Sequence, residues 1–236
     1  CSFDAEHPLT EMCRAAKQAG IYELCLTDHC DLVDEKGKEI EAMPGCKKKD
    51  VTSFTAYPEL LFEFPAPWNK IVRRSIFLDQ QIRYPLHVWY EDLRVTSKLY
   101  PHAESVVYLD EALYRYVLHS GSIMNSSKCE RNLEIITAID DIVNYYREIG
   151  LYEAYKKQLE FLAFTHQLIV ATTRVNQIDH KSQVLYQLKN DFLQKFPAYR
   201  SNPYVQQLPK KERLVLYLLL HNHYALLYTL MSLNKK

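Results

Sequence analysis

An α+β chain with a helical majority is what the 236 residues predict, on three observations. Apolar residues recur at helical spacing through most of the chain after residue 126. A helix-then-strand unit opens the chain, and short strand-like runs alternate with helical ones between 67 and 125. The expected organisation is a truncated α/β piece over 1–31, a mixed region over 32–125 and a helical bundle over 126–236.

In the first piece, HPLTEMCRAAKQAG has Pro8 near a helix start, Leu9, Met12, Cys13 and Ala16 at helical spacing, and Gly20 as a stop. IYELCLTDH follows as a strand ending in polar residues, the usual place for site chemistry in an α/β unit. One helix and one strand cannot close a core, so this piece must lean on another. Residues 32–66 begin charged and loop-like, turn at Pro44-Gly45, and become dense in aromatics and prolines. NKIVRRSIF then reads as strand and helix, YEDLRVTSKLY as a helix, and SVVYLDEALYRYV as two short strands around a turn.

SKCERNLEIITAIDDIVNYYREIG reads as a helix with a Ser cap and a Gly150 stop. LYEAYKKQLEFLAFTHQLIVATTRV and HKSQVLYQLKNDFLQKF follow with similar periodicity. The last helix, at 210–234, has 15 apolar residues among the 20 from 214 to 233, bracketed by Lys210, Lys211, Lys235 and Lys236. His221, Asn222 and His223 interrupt it, which argues against a membrane span. It reads first as a helix buried in the bundle and second as one lying in a membrane interface.

Lys plus Arg (29) equals Asp plus Glu (29), so no global field attracts nucleic acid, and no nucleic-acid partner is expected. With five glycines there is little material for phosphate-cradling loops, while 18 tyrosines suit ring stacking and hydroxyl-rich ligands. Six cysteines without a C-x-x-C pair fit reduced thiols in a cytoplasm. The chain starts at Cys1, so it is expected to begin partway through a longer reading frame. His221 and His223, two apart on a helix, point to different faces and do not read as metal ligands. Lys47 to Lys49 reads as a solvated loop cluster, and Arg73-Arg74 as a surface pair.

One stretch carries sharper chemistry. LHVWYEDLRVTSKLY sets Glu91 and Asp92 directly after Trp89 and Tyr90, at a helix start. The plain reading is a first-turn carboxylate pair at the positive end of the helix dipole. The sharper one is a catalytic base beside an aromatic wall that would partly desolvate it and raise its basicity.

Two family resemblances bear on this. CSFDAEHPLTEMCRAAKQAGIYELCLTDHCD resembles the start of the PHP-type metal-dependent phosphoesterases, of the histidinol-phosphatase kind, over about thirty residues. That resemblance puts Asp4 and His29 on metal-site positions, here vestigial, since no further ligands of that pattern follow residue 31. From about residue 32 to the end, PAPWNKIVRRSIF, IRYPLHVWYEDL and SVVYLDEALYRYVLHSGSIMNSS resemble the C-terminal half of bacterial family 2 glycosyltransferases.

The second resemblance implies an incomplete GT-A-type region and sugar transfer from a nucleotide-sugar to a hydroxyl acceptor in cell-surface polysaccharide synthesis. By it, Asp92 is the base and Glu91 supports it, while Trp68, Asn69, Lys70, Trp89 and Tyr90 shape the acceptor site. Leu86 and His87 depart from the family's acidic residue and Gly, and Val117, Leu118 and His119 stand where arginines are frequent. No Asp-x-Asp motif and no G-x-G-x-x-G loop occurs. The chain alone is therefore expected to bind no cofactor and to be inactive, Mg or Mn entering with the nucleotide-sugar in the complete enzyme. The partners implied are a sugar or lipid-linked acceptor and a peripheral membrane contact through the helix at 210–234, with a cytoplasmic or inner-face location. The alternatives are a non-catalytic remnant that binds a membrane or partner, and behind it a PHP-type phosphoesterase.

Overall fold

Residues 32–33, 52–107, 116–117 and 128–233 are those that the structure, a computed structural model, describes. The expected helix and strand of residues 1–31 and the Ser cap at 126–127 lie outside them. The mainly helical expectation holds. The only strands among the described residues are β1 (Leu32–Val33) and β2 (Tyr116–Val117), which pair in parallel with Leu32 opposite Tyr116. Thr52 and Val106 add an isolated antiparallel bridge. The strand expected in NKIVRRSIF does not form: that segment gives a short helix, α1 (Arg74–Asp79).

Helix α2 (Glu91–Leu99) lies against α3 (Glu134–Glu148). Ile135, Ala138, Ile139, Ile142, Val143 and Tyr146, spaced three and four apart, form the buried stripe of α3. Several cross-links hold the pair, among them Arg94, which donates to the Thr137 carbonyl at 3.0 Å. Lys98 Nζ donates to Asp141 Oδ2 at 2.6 Å, and the Tyr146 hydroxyl donates to the Ser97 carbonyl at 2.9 Å. Gly150 ends α3 with φ +72°, and Leu151 N–H reaches back to the Tyr146 carbonyl at 2.8 Å. A Cβ at Gly150 would meet nothing within 4 Å, so the backbone angle, not crowding, selects glycine there.

The chain then runs helically from 152 to 178 as α4 (Tyr152–Ala163), a π-helical stretch (Phe164–Ala171) and α5 (Thr172–Ile178). Thr172 Oγ1 donates to the Gln167 carbonyl five residues back, at 3.1 Å, in step with the wider turn. Helix α6 (Val184–Lys195) packs on this stretch through Leu185, Leu188 and Phe192, all fully buried. Its Lys195 pairs with Asp140 at 2.6 Å and Asp191 at 3.1 Å. Ahead of the bundle, the 3-10 turn Pro58–Phe62 packs on α4, with Phe62 edge-on to Phe161 and Tyr204 at 4.8 Å.

The segment expected as one helix at 210–234 is two. After the short α7 (Pro203–Gln206) come α8 (Lys210–Leu220) and α9 (Tyr224–Leu233), broken at the H-N-H triplet. Asn222 takes φ +59°, and His223 N–H closes on the Leu218 carbonyl at 2.8 Å, so asparagine serves where glycine ended α3. The Asn222 side chain accepts from the buried Lys189 ammonium, which anchors the break to α6. Leu218, Leu219, Tyr224 and Leu227 are buried and tie this hairpin to the bundle core, while Leu214, Tyr217, Leu226 and Leu233 on it stay exposed. Among the described residues no helix is long and apolar enough to cross a membrane, so the membrane-associated reading gains no support from a span.

One titratable group in the π-helical stretch makes stability pH-sensitive. His166 keeps a sliver of surface, yet desolvation pushes its imidazole from 6.5 down to about 4. Below about pH 6.5 the unfolded chain takes up a proton that the folded chain refuses until about pH 4. Stability therefore falls across that window, by at most about 3 kcal/mol, and His166→Gln flattens the fall. Urea unfolding of both proteins at pH 7.5 and 4.5 checks this; parallel pH responses would refute it.

Candidate functional site

The N-terminus of α2 gathers most of the residues that the sequence singled out. Tyr90, the residue before the helix, adopts φ +63°, an uncommon angle for a bulky side chain that costs about 1–3 kcal/mol. Its phenol holds it there by donating to Asn132 Oδ1 at 3.0 Å and by meeting Arg174. Burial pushes that phenol up to about 12, with Arg174 opposing and Asp92 and Glu134 reinforcing the shift.

Trp89 sits beside it, 9% exposed. Its backbone N–H donates to Glu134 Oε2 at 2.7 Å, and the guanidinium groups of Arg131 and Arg174 lie 5.2 and 4.8 Å from its ring centroid. Arg131 also pairs with Glu134 and donates to the His87 carbonyl at 3.2 Å. With two cations over it and so little area exposed, the indole offers no open face to a sugar ring. It is the centre of a clamp that ties the start of α2 to α3 and α5.

Asp92 is partly buried, and its Oδ1 accepts from Leu93 N–H at 2.7 Å within the first turn. Burial raises its carboxyl above the ordinary 3.8, opposed by backbone N–H groups and by the Lys70 charge. Lys70 comes close because Thr96 Oγ1 pins α2 to the Pro65 carbonyl at 2.6 Å. Lys70 itself donates to Asn69 Oδ1 at 2.6 Å, to the Ala66 carbonyl at 3.3 Å and to the Phe64 carbonyl. Trp68 packs its ring 5.7 Å from that of Phe64, and Glu91 is partly buried in the first turn. The fold thus brings Lys70, Asn69, Tyr90 and Asp92 into one neighbourhood, in which Asp92 closes the helix start.

An ionised carboxylate kept partly from water costs folding free energy at neutral pH, and that cost disappears once the folded protein protonates it. Wild type is therefore expected to gain stability over Asp92→Asn as pH falls from 7 toward the ordinary carboxylate range. Paired urea titrations at pH 7 and 4.5 measure the gap; one that widens the other way contradicts the assignment.

Local sequence did not point to Arg174, Asn132 or the cationic cover of Trp89, because these partners stand 42 to 85 positions from the residues they hold. The Arg131–Glu134 spacing of three was the one visible signal. Asp140 and Asp141, which do not form a metal motif, are engaged by Lys195 and Lys98. Among the described residues no three His, Cys, Asp or Glu side chains gather as a metal site. Asp4 and His29 lie outside the described residues.

Comparison with known proteins changes the family reading. A family model described as PHP domain matches residues 1–200, which include the whole α2 region and most of the bundle. No curated protein and no solved structure matches the chain. The match runs through the segment in which the sequence suggested a family 2 glycosyltransferase, and no glycosyltransferase family is found. The glycosyltransferase reading is therefore corrected, and the roles of base and acceptor wall fall with it. The resemblance of the first thirty residues to PHP phosphoesterases was the informative one, and it extends far beyond residue 31: the chain belongs to the PHP domain family.

Proposed function

We propose that the chain acts as a PHP-type phosphoesterase, hydrolysing a phosphate ester. The observation that carries this reading is the family match over residues 1–200 of 236. The reading treats residues 1–31, 32–125 and 126–236 as parts of one protein rather than pieces of two families. Asp4 and His29, on family metal positions by resemblance, are the residues assigned to a divalent cation. The described residues do not themselves supply a metal site, so no catalytic step is derived through one. The Trp89 clamp serves this reading as scaffold, fixing the start of α2 against the bundle.

The test is release of inorganic phosphate from p-nitrophenyl phosphate by the full chain, with Mn, Zn or Fe added, and with chelator. Turnover that needs added metal and falls at least about a hundredfold in His29→Ala, the expectation for loss of a metal ligand in such chemistry, supports the proposal. Absence of phosphate release under every metal overturns it.

A further inference from the structure

Beyond the α2 region, the chain forms a second concavity whose lining has a consistent chemistry. An open groove of about 420 Å³ lies between the 3-10 turn Tyr199–Ser201, α7 and α8. Val205, Leu208, Leu216 and Leu220 give it an apolar floor, while Arg200, Arg213, Tyr217 and His221 form the polar part. No Asp or Glu lines it. Its lining is mainly apolar with a few polar groups, and it stays open to solvent along one side.

The cations are set in place. Arg213 is oriented by two backbone carbonyls, Leu208 at 2.8 Å through Nε and Gln206 at 2.9 Å through an amino group. Those bonds use two of its five N–H donors. Arg200 donates from Nε to the Tyr199 hydroxyl at 3.1 Å and is otherwise exposed. No carboxylate pairs with either guanidinium among the described residues. The rings of Tyr217 and His221 meet at a tilt of 42° with centroids 4.4 Å apart at the end of α8. A positive rim beside an apolar trough is complementary to a molecule with the opposite halves.

We infer that this groove binds a small amphiphile, an alkyl chain bearing one phosphate or carboxylate, with the head on Arg200 and Arg213 and the chain along Leu216 and Leu220. The inference is independent of the phosphoesterase reading, since none of these residues is assigned to that chemistry.

Isothermal titration of the full chain with octyl phosphate, octanoate, octanol and inorganic phosphate tests it. Octyl phosphate or octanoate should bind saturably and at least about tenfold tighter than octanol or inorganic phosphate. Arg200→Gln, at an exposed position, should weaken that binding about fivefold or more, while Lys156→Gln, at an exposed position of α4, leaves it unchanged. The two anionic probes distinguish a phosphate head from a carboxylate one. Flotation with phosphatidylglycerol vesicles separates a free ligand from a lipid surface, and vesicle binding without binding of either monomeric amphiphile overturns the assignment. So do equal affinities for octanol, absence of saturation, or an equal loss in Lys156→Gln.

Discussion

Replacing Trp89 with alanine should lower the unfolding free energy by about 3–5 kcal/mol, the usual cost of truncating a large buried aromatic. The indole is 9% exposed and carries two guanidinium contacts, each worth about 0.5–2 kcal/mol when partly desolvated. Truncation also leaves Arg131 and Arg174 without their flat partner and opens the seam joining α2, α3 and α5. Trp89→Phe should recover about half the loss, because a smaller ring keeps some burial and both cation contacts. Urea unfolding followed by far-UV circular dichroism measures these differences. A change under about 1 kcal/mol in Trp89→Ala would mean that the ring is peripheral to the fold.

That expectation inverts the role first read from the same tetrapeptide, and the inversion has a physical cause. Trp-Tyr-Glu-Asp before a helical run has two meanings at the level of local sequence: an aromatic wall with a base, or a buried anchor followed by first-turn carboxylates. Only the partners decide, and Arg131, Glu134 and Arg174 arrive from 40 and more residues away. By contrast, α2 and α3 were legible because a single helix face fixes its own period; the buried Ile135, Ile139 and Ile142 need no distant information to be found. Gly150 was legible as a stop for the same reason, since few residues tolerate φ +72°.

The features that escaped are those where a common residue does an uncommon task. Asn222 ends α8 in the left-handed region, held by Lys189 from another helix, and an asparagine in an apolar run does not announce that. The π-helical stretch from Phe164 to Ala171 lies inside a segment whose apolar period looks continuous. The correct family lay in the first thirty residues, in Ser2-Phe3-Asp4-Ala5 and Thr27-Asp28-His29, but its reach to residue 200 is spread too thinly over the helices for motif reading to follow.

The π-helical stretch is also where the second large loss of stability is expected. Phe164, its first residue, is 1% exposed and stands among three rings. It stacks on Phe161 at 5.7 Å with planes 12° apart, on Tyr199 at 6.1 Å, and meets Phe192 edge-on at 6.1 Å. Phe192 in turn contacts Phe196 and Tyr199, each at 5.4 Å, so one side chain links α4, α6 and the turn before α7. Phe164→Ala should cost about 3–5 kcal/mol, from lost transfer energy, a cavity that the stacked rings cannot collapse into, and the loss of aromatic pairs worth about 0.5–1.5 kcal/mol each. Phe164→Leu fills part of the space and should cost roughly half as much. The ring at the start of the wide turn therefore packs the end of α4 against α6 and the turn before α7. Chemical denaturation of the two variants gives the test: equal costs for Ala and Leu would show that filling the space recovers nothing, against the volume argument, and a loss under about 1 kcal/mol in Phe164→Ala would show that the cluster is not a centre of the core.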